Sequence, residues 1–331
     1  MISSAIIVLT WNSFEDTISC LQSVLTTSST NAQVIVCDNA STDGSWQRFL
    51  DWANDSGRQY RTYNRSSSES GGKPDDPGLI FIQTGTNLGF AGGNNVGLRY
   101  ALNRGHQYFW LLSNDTMVNR HSLPALIERT QQDTRIGMCG STLIYFHDQC
   151  KVQALGGSVF DFSSGVGTHI GIGESLDQDV YATNKPSGLA KRQKYVEESM
   201  DYVVGASMLV TREFIEAIGL MEESYFLFFE EIDWAMRGKE KFKLGWAPDS
   251  IVIHKEGGSI GSSHIDRPSR TALTYMARNR LKFAARHTPE HYWSVWRRLC
   301  FEALVYAKRR DIEAVKLLIT AVIRGITLRI C

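Results

Sequence analysis

The chain has 331 residues, 35 Lys plus Arg against 35 Asp plus Glu, and 43% apolar against 21% charged residues. This excludes collagen-like, low-complexity and mostly disordered chains and leaves one large domain or two ordinary ones. A neutral total argues against nucleic acid as a partner, because holding phosphates by charge needs a basic surplus.

In chain order, the β-branched run Ala5 to Thr10 predicts a buried strand, then a capped turn and a helix from Phe14 to Leu25. With no basic flank or cleavage site, that first run reads as a strand and not a signal peptide. The same grammar returns with a strand at 33–37, a polar turn at 38–44 and a helix at 45–52. It returns again with a strand at 79–82, a Gly/Asn turn and a helix from about Asn94 to Arg104, then a strand at 108–112 and a helix at 123–130. Apolar strands alternating with helices predict an α/β fold, a Rossmann-like, mostly parallel sheet flanked by helices.

The Ser, Gly, Pro and Asp-rich stretch 64–78 reads as a solvated excursion, and glycines from Gly156 to Gly173 predict hairpins and long loops reaching Tyr195. Compact structure is expected again at 202–210, with helices from Arg212 and over Glu230 to Lys239, and strands near 244–246 and 251–254. From about Ser269 the chain reads as helix. From Leu281 to Cys331 ten Lys/Arg face four acids on two amphipathic stretches. Such a tail suits an anionic membrane surface, a homodimer or packing on the preceding domain. The expected division is 1–265 for the catalytic domain and 266–331 for a C-terminal amphipathic helical region. No apolar run approaches the roughly 18 residues of a membrane span, and six scattered cysteines without a CxxC pair read as reduced thiols. A cytoplasmic protein, peripheral on the inner face of the plasma membrane at most, is the expectation.

In open parallel sheets, ligands collect beyond the C-terminal ends of the strands. Four polar clusters stand there: Thr10 and Asn12; Asp38 to Gly44; Asn87 to Asn95; and Ser113 to Thr116. The turn holding Gly89, Gly92 and Gly93 has neither the spacing nor the position of a dinucleotide fingerprint, and no Lys-Ser/Thr follows to make a phosphate loop of the Walker type. Glycines there let the backbone approach a diphosphate or sugar. Glu230, Glu231 and Asp233 follow a Phe-rich segment at a helix start, where carboxylates are either simple partners of the helix dipole or desolvated acids with raised pKa.

In this order, Thr10-Trp-Asn12, Asp38-Asn-Ala-Ser-Thr-Asp-Gly44, Asn87 to Asn95, Leu112-Ser-Asn-Asp-Thr116, Phe228-Phe-Glu-Glu-Ile-Asp233 with Arg237, and His254 with Gly257-Gly-Ser259 resemble a family 2 inverting glycosyltransferase of the GT-A fold, in the rhamnosyltransferase-like branch. The resemblance runs over about residues 4–260 and implies a nucleotide-diphosphate-sugar donor, a dTDP- or UDP-sugar, with Mg²⁺ or Mn²⁺. By it, Asp115 and His254 reach metal or diphosphate. Ser113 replaces the first acid of the family's metal motif, which implies a more hydrated metal site. Thr10, Asn12, Asp38, Ser41, Asp43, Asn87, Gly89, Gly92, Asn94 and Asn114 line the donor, with Asp38 on the base and Ser41 and Asp43 on the ribose side, or Asp43 as a helix cap. Arg237 pairs with the acids or the diphosphate. Glu231 is the expected base, Asp233 the runner-up and Glu230 an orienting acid. The implied acceptor is a hydroxyl of a glycan or polyprenyl-diphosphate-linked carrier, as in building a bacterial cell-surface polysaccharide such as an O-antigen. Two other readings stay open: a scaffold that has lost turnover, suggested by Ser113, and a sugar nucleotidyltransferase, which needs a basic Gly-rich loop after the first strand.

Overall fold

The computed structural model describes residues 3–27, 32–176, 186–255 and 268–330. Its first half is a strand-helix alternation: β1 (Ser4–Thr10), α1 (Phe14–Thr27), β2 (Gln33–Asp38), α2 (Ser45–Asp55), β3 (Tyr60–Asn64), α3 (Arg65–Glu69), β4 (Leu79–Gln83), α4 (Gly89–Asn103) and β5 (Tyr108–Ser113). These strands pair in parallel in the order β3-β4-β2-β1-β5. Alternation along β1 serves two cores: Ile6 and Val8 pack with α1 and α2, while Ile7 packs with α4. The segment 64–78 is not a solvated excursion. Ser68 is buried in α3, and the side chain of Asp76 is fully covered and accepts from the Tyr63 and Tyr100 hydroxyls. Around this enclosed pair Ser66, Ser67, Ser70, Lys73 and Asp75 stay exposed, so the segment is a structured helix-and-turn solvated on its outer side.

The second half adds β6 (Thr116–Val118), α5 (Ser122–Gln132), β7 (Ile136–Tyr145), β8 (Val152–Leu155), β9 (Gly157–Asp161), β10 (Val166–His169), α6 (Pro186–Ser199), β11 (Tyr202–Val203), β12 (Ser207–Thr211), α7 (Arg212–Ile218), α8 (Glu230–Gly238) and β13 (Lys243–His254). β12 lies antiparallel between β5 and β7, and β13 runs parallel to β7 and antiparallel to β6. Strands β9, β10 and β11 form a separate small antiparallel sheet. Helix α6 lies where loops were expected. It is tied down by Glu197, which accepts two bonds from Arg129 of α5 and the Trp246 N–H of β13.

Three helices end the chain: α9 (Arg270–His287), α10 (Tyr292–Lys308) and α11 (Ile312–Ile330). They share a core of Leu273, Leu281, Val295, Leu299 and Leu318. The expected division near 265 does not isolate this region: Phe283 of α9 packs with Phe160, Tyr225 and Ile232 of the preceding domain. Among the described residues no helix is long and apolar enough to cross a membrane.

Candidate active site

Register brings the first polar cluster together. Thr10 stands opposite Asp38 in the ladder, and Asp38 opposite Gln83. The Asp38 carboxylate, out of contact with solvent, accepts from the Ser41 hydroxyl (2.5 Å), the Ser41 N–H (3.1 Å) and Gln83 (2.9 Å). Burial pushes its pKa up, against those hydrogen bonds. Asn12, at φ +49°, closes the turn: its N–H donates to Ser41 Oγ and its side chain accepts from the Thr42 N–H. Thr10 and Asn114 both bond Thr17 of α1, joining the ends of β1 and β5. Asp43 is exposed and accepts from the Ser45 N–H at 3.0 Å, an Asx turn; the N-cap of α2 is Gly44, which makes no side-chain cap bond.

Asn39, buried and outside the expected site set, links that cluster to the Gly/Asn turn. Its amide donates to Asn87 Oδ1 (3.0 Å) and Gly89 O (3.1 Å), and its oxygen accepts from the Leu88 N–H (2.9 Å). Helix α4 starts at Gly89, not near Asn94. Gly89 has φ +72°, and a Cβ there would run into the Phe226 carbonyl, which accepts from Phe90 N–H at 2.6 Å. Gly92 lies against Leu88, and Asn94 donates to the Phe90 carbonyl inside the helix. These two positions build the turn that faces segment 221–226.

Asp115 and His254 meet because Thr116 pairs with His254 between β6 and β13. His254 Nε2 lies 3.3 Å from Asp115 Oδ1, and Nδ1 lies 2.9 Å from Gln153 Oε1. Two ligands about 2.1 Å from one octahedral cation and at right angles stand roughly 3.0 Å apart. The pair therefore fits a divalent ion, with Gln153 fixing the imidazole so that Nε2 faces it. Among the described residues no third His, Cys, Asp or Glu joins them. Remaining positions would fall to water and diphosphate oxygens, in keeping with Ser113 in the motif. The resemblance motif Gly257-Gly-Ser259 lies outside the described residues.

The acids sit at the end of a contorted loop. Phe226, Phe228 and Phe229 all take left-handed backbone angles, φ +67°, +66° and +78°, at a cost of about 1–3 kcal/mol each. Phe229 packs on Phe160 and Phe283, and Phe226 stacks on Tyr275 of α9. The loop thus delivers Glu230 and Glu231 at the first turn of α8. Burial lifts Glu231 to about 7 and Glu230, 1% exposed, well above the carboxylate range. Among the described residues Glu230 Oε2 has no hydrogen-bond partner, which disfavours its charged form and agrees with the upward shift. Glu231 lies over Gly205, where a Cβ would strike its carboxylate. The next residue, Ala206, accepts from the Ser113 N–H. This places Glu231 beside the end of β5 that carries Asp115.

Asp233 and Arg237 take a different part. Arg237 donates to Asp233 (2.8 Å) and to the Ile218 and Leu220 carbonyls, so its fork is spent away from the donor strands. Asp233 also receives His287 at 2.7 Å and lies 3.3 Å from Arg286. Burial alone would raise its pKa; the bonds from His287 and Arg237 and the Arg286 charge outweigh it and hold it below the usual range. The sequence reading found neither Arg286 nor His287, which lie more than fifty residues away with no local signal. Gln83, Gln153 and Gly205 were missed for the same reason.

Residues 5–153 match the glycosyl transferase family 2 description. The low-salt glycan biosynthesis hexosyltransferase Agl10 of Haloferax volcanii is 25% identical over 197 residues, which is 58% of this chain and 57% of that protein. The chain thus spans little more than half the length of that relative. The N-acetylglucosaminyl-diphospho-decaprenol L-rhamnosyltransferase of Mycobacterium tuberculosis is 22% identical over 259 residues, 74% of each. Among solved structures, GalNAc-T7 with UDP, GalNAc and Mn²⁺ superposes with TM-score 0.58 at 14% identity, over 88% of this chain and 51% of that one. The mannosyltransferase PcManGT of Pyrobaculum calidifontis, with GDP-Man and Mn²⁺, gives 0.53 at 13% identity, over 98% and 86%. At such identities the structures share the fold. Residues 5–153 thus resemble glycosyl transferase family 2, and the chain has the GT-A fold of these neighbours.

Proposed function

We propose that this chain transfers a hexose or deoxyhexose such as rhamnose, with inversion, from a dTDP- or UDP-sugar to a hydroxyl of a polyprenyl-diphosphate-linked or other cell-surface glycan. The observation that carries the reading is Glu231, a half-buried carboxylate whose desolvation lifts it to about 7, set over Gly205 beside the strand end bearing Asp115. Support for a lipid-linked acceptor comes from the mycobacterial relative, whose name states a diphospho-decaprenol substrate.

Asp38 and Asn39 would hold the base and the turn around it, and Asp115 with His254 would hold a divalent cation, for which the neighbours' Mn²⁺ offers a precedent of fold. Such an ion neutralises charge on the departing diphosphate. Glu231 takes the acceptor hydroxyl proton while that oxygen bonds to the anomeric carbon, and the carbon–oxygen bond to diphosphate breaks with its electron pair. Attack and departure on opposite faces invert the centre. Burial and the neighbouring Glu231 raise the Glu230 pKa, so a second charge beside the base is disfavoured.

The test is a thermal-shift panel of UDP-, dTDP-, GDP- and CMP-sugars with and without Mn²⁺ or Mg²⁺, followed by the anomeric configuration of the product. A metal-dependent shift with one nucleotide and an inverted product are expected. A retained configuration overturns the mechanism, and binding without turnover on any acceptor returns the scaffold reading.

For the tail, the reading is a peripheral site on an anionic membrane. Trp293, Arg297, Phe301, Leu304 and Lys308 fall on one outward stripe of α10, and Ile312, Lys316, Ile319 and Ile323 on one of α11, all exposed. Removing these helices would also strip the shared core with α9, so Phe301→Glu with Leu304→Glu is the cleaner probe. Reduced co-sedimentation with phosphatidylglycerol vesicles is expected; unchanged sedimentation with a monomer in place of a dimer would assign the stripe to a second copy.

A further inference from the structure

We infer that Asn279, on α9, is a positioning residue for the base: it sets the backbone that presents Glu231. This rests on Glu231 being the base. Asn279 is fully buried, and its amide nitrogen lies 2.9, 2.8 and 3.0 Å from the carbonyl oxygens of Tyr225, Leu227 and Phe228. Its oxygen accepts from Arg278 Nε at 3.0 Å, and the Arg278 guanidinium itself donates to the Ser224 and Tyr225 carbonyls. An amide NH₂ has two hydrogens, so three carbonyls converging on it must share them.

Those carbonyls belong to the stretch that takes left-handed angles at Phe226, Phe228 and Phe229. Without the amide the Leu227 and Phe228 carbonyls would lose this donor, and the Tyr225 carbonyl would keep only Arg278. From the other side, the same loop is pinned by Phe90 N–H on the Phe226 carbonyl. Asn279 therefore fixes the last backbone turn before Glu230 and Glu231, and with it the aim of the carboxylate above Gly205. Aspartate would oppose the three carbonyls with charge, and alanine would remove the donor to Leu227 and Phe228.

The test uses the full chain with Mn²⁺ and measures nucleoside-diphosphate release from dTDP-rhamnose, UDP-glucose and GDP-mannose, water serving as acceptor. Asn279→Ala should lower kcat by about 10- to 100-fold, since a misplacement near 1 Å costs that much, with donor KM and the donor thermal shift unchanged. It should also move the acid limb of the pH–kcat profile away from about 7. Asn279→Gln, which keeps the amide, should recover part of kcat. In a Glu231→Gln background, Asn279→Ala should add no further loss. An equal, independent loss in that background, or an unmoved acid limb, overturns the positioning role. If Asn279→Ala fails to fold, Asn279→Gln carries the same pH and double-variant comparison. Unchanged turnover in Glu231→Gln alone would instead overturn the identity of the base.

Discussion

The strand ends of the first half and the acid loop before α8 are built in different ways. Thr10, Asp38, Gln83 and Asp115 occupy strand ends or the turns just after them, where parallel pairing aligns the strands and left-handed angles outside glycine fall singly, at Asn12 and Ala40. Glu230 and Glu231 instead follow three left-handed Phe residues and depend on groups from α4 and α9. A nucleotide can be held by rigid sheet edges, whereas a base must be aimed, and aiming here draws on strain supported by distant residues.

Several substitutions break or sharpen that contrast. The largest effect should come from Asp233→Asn, which leaves Arg237, Arg286 and His287 facing a neutral group and should cost about 3–5 kcal/mol in urea unfolding. Since the folded pKa lies below the unfolded value of about 3.9, the wild-type advantage should be full above that pH and fade as acid protonates the native carboxylate. Stable protein with unchanged midpoint would place the loop's support elsewhere.

Glu231→Gln should leave the fold intact and reduce turnover by about 10²-fold, some 2.7 kcal/mol. Wild-type turnover should rise as pH climbs through about 7 and level off above, because the base must be ionised. A flat profile from pH 5 to 9 would count against this assignment. Next comes Gly89→Ala, which forces a Cβ against the Phe226 carbonyl at the seam between the two regions; a loss of roughly 2 kcal/mol in thermal or urea unfolding is expected.

On the donor side the effects should be smaller and confined to binding. Asp115→Asn should raise the Mn²⁺ concentration needed for the donor thermal shift by about tenfold, or 1.4 kcal/mol, with little change without metal. Asp43→Ala removes only an exposed Asx-turn bond beside the Gly44 N-cap and should change stability by about 0.5 kcal/mol at most while leaving donor affinity alone; a large fall in affinity would return Asp43 to the ribose.

The donor half was legible because its information is local. A strand, its terminal Asp38 and the turn at Ser41 lie within a few residues, whereas Asp43 closes an Asx turn one residue before the Gly44 N-cap, which is not the cap the sequence suggested. The error at 64–78 is instructive: Asp76 reads as a loop acid until Tyr63 and Tyr100 are seen to close over it. Arg237 was legible as a partner of the acids, but the carbonyls of Ile218 and Leu220 that occupy it were not.

By itself, then, the sequence determined the alternating elements, the two-sided parallel sheet and the placement of polar groups at strand ends, because hydrophobic periodicity and turn chemistry act over neighbouring residues. Only the tertiary structure decided that β13 returns beside β6 to set His254 against Asp115, and that α9 reaches back to hold the acid loop and Asp233. Those contacts join residues 51 to 139 positions apart, and their free energy comes from burying paired polar groups that only a complete core can enclose.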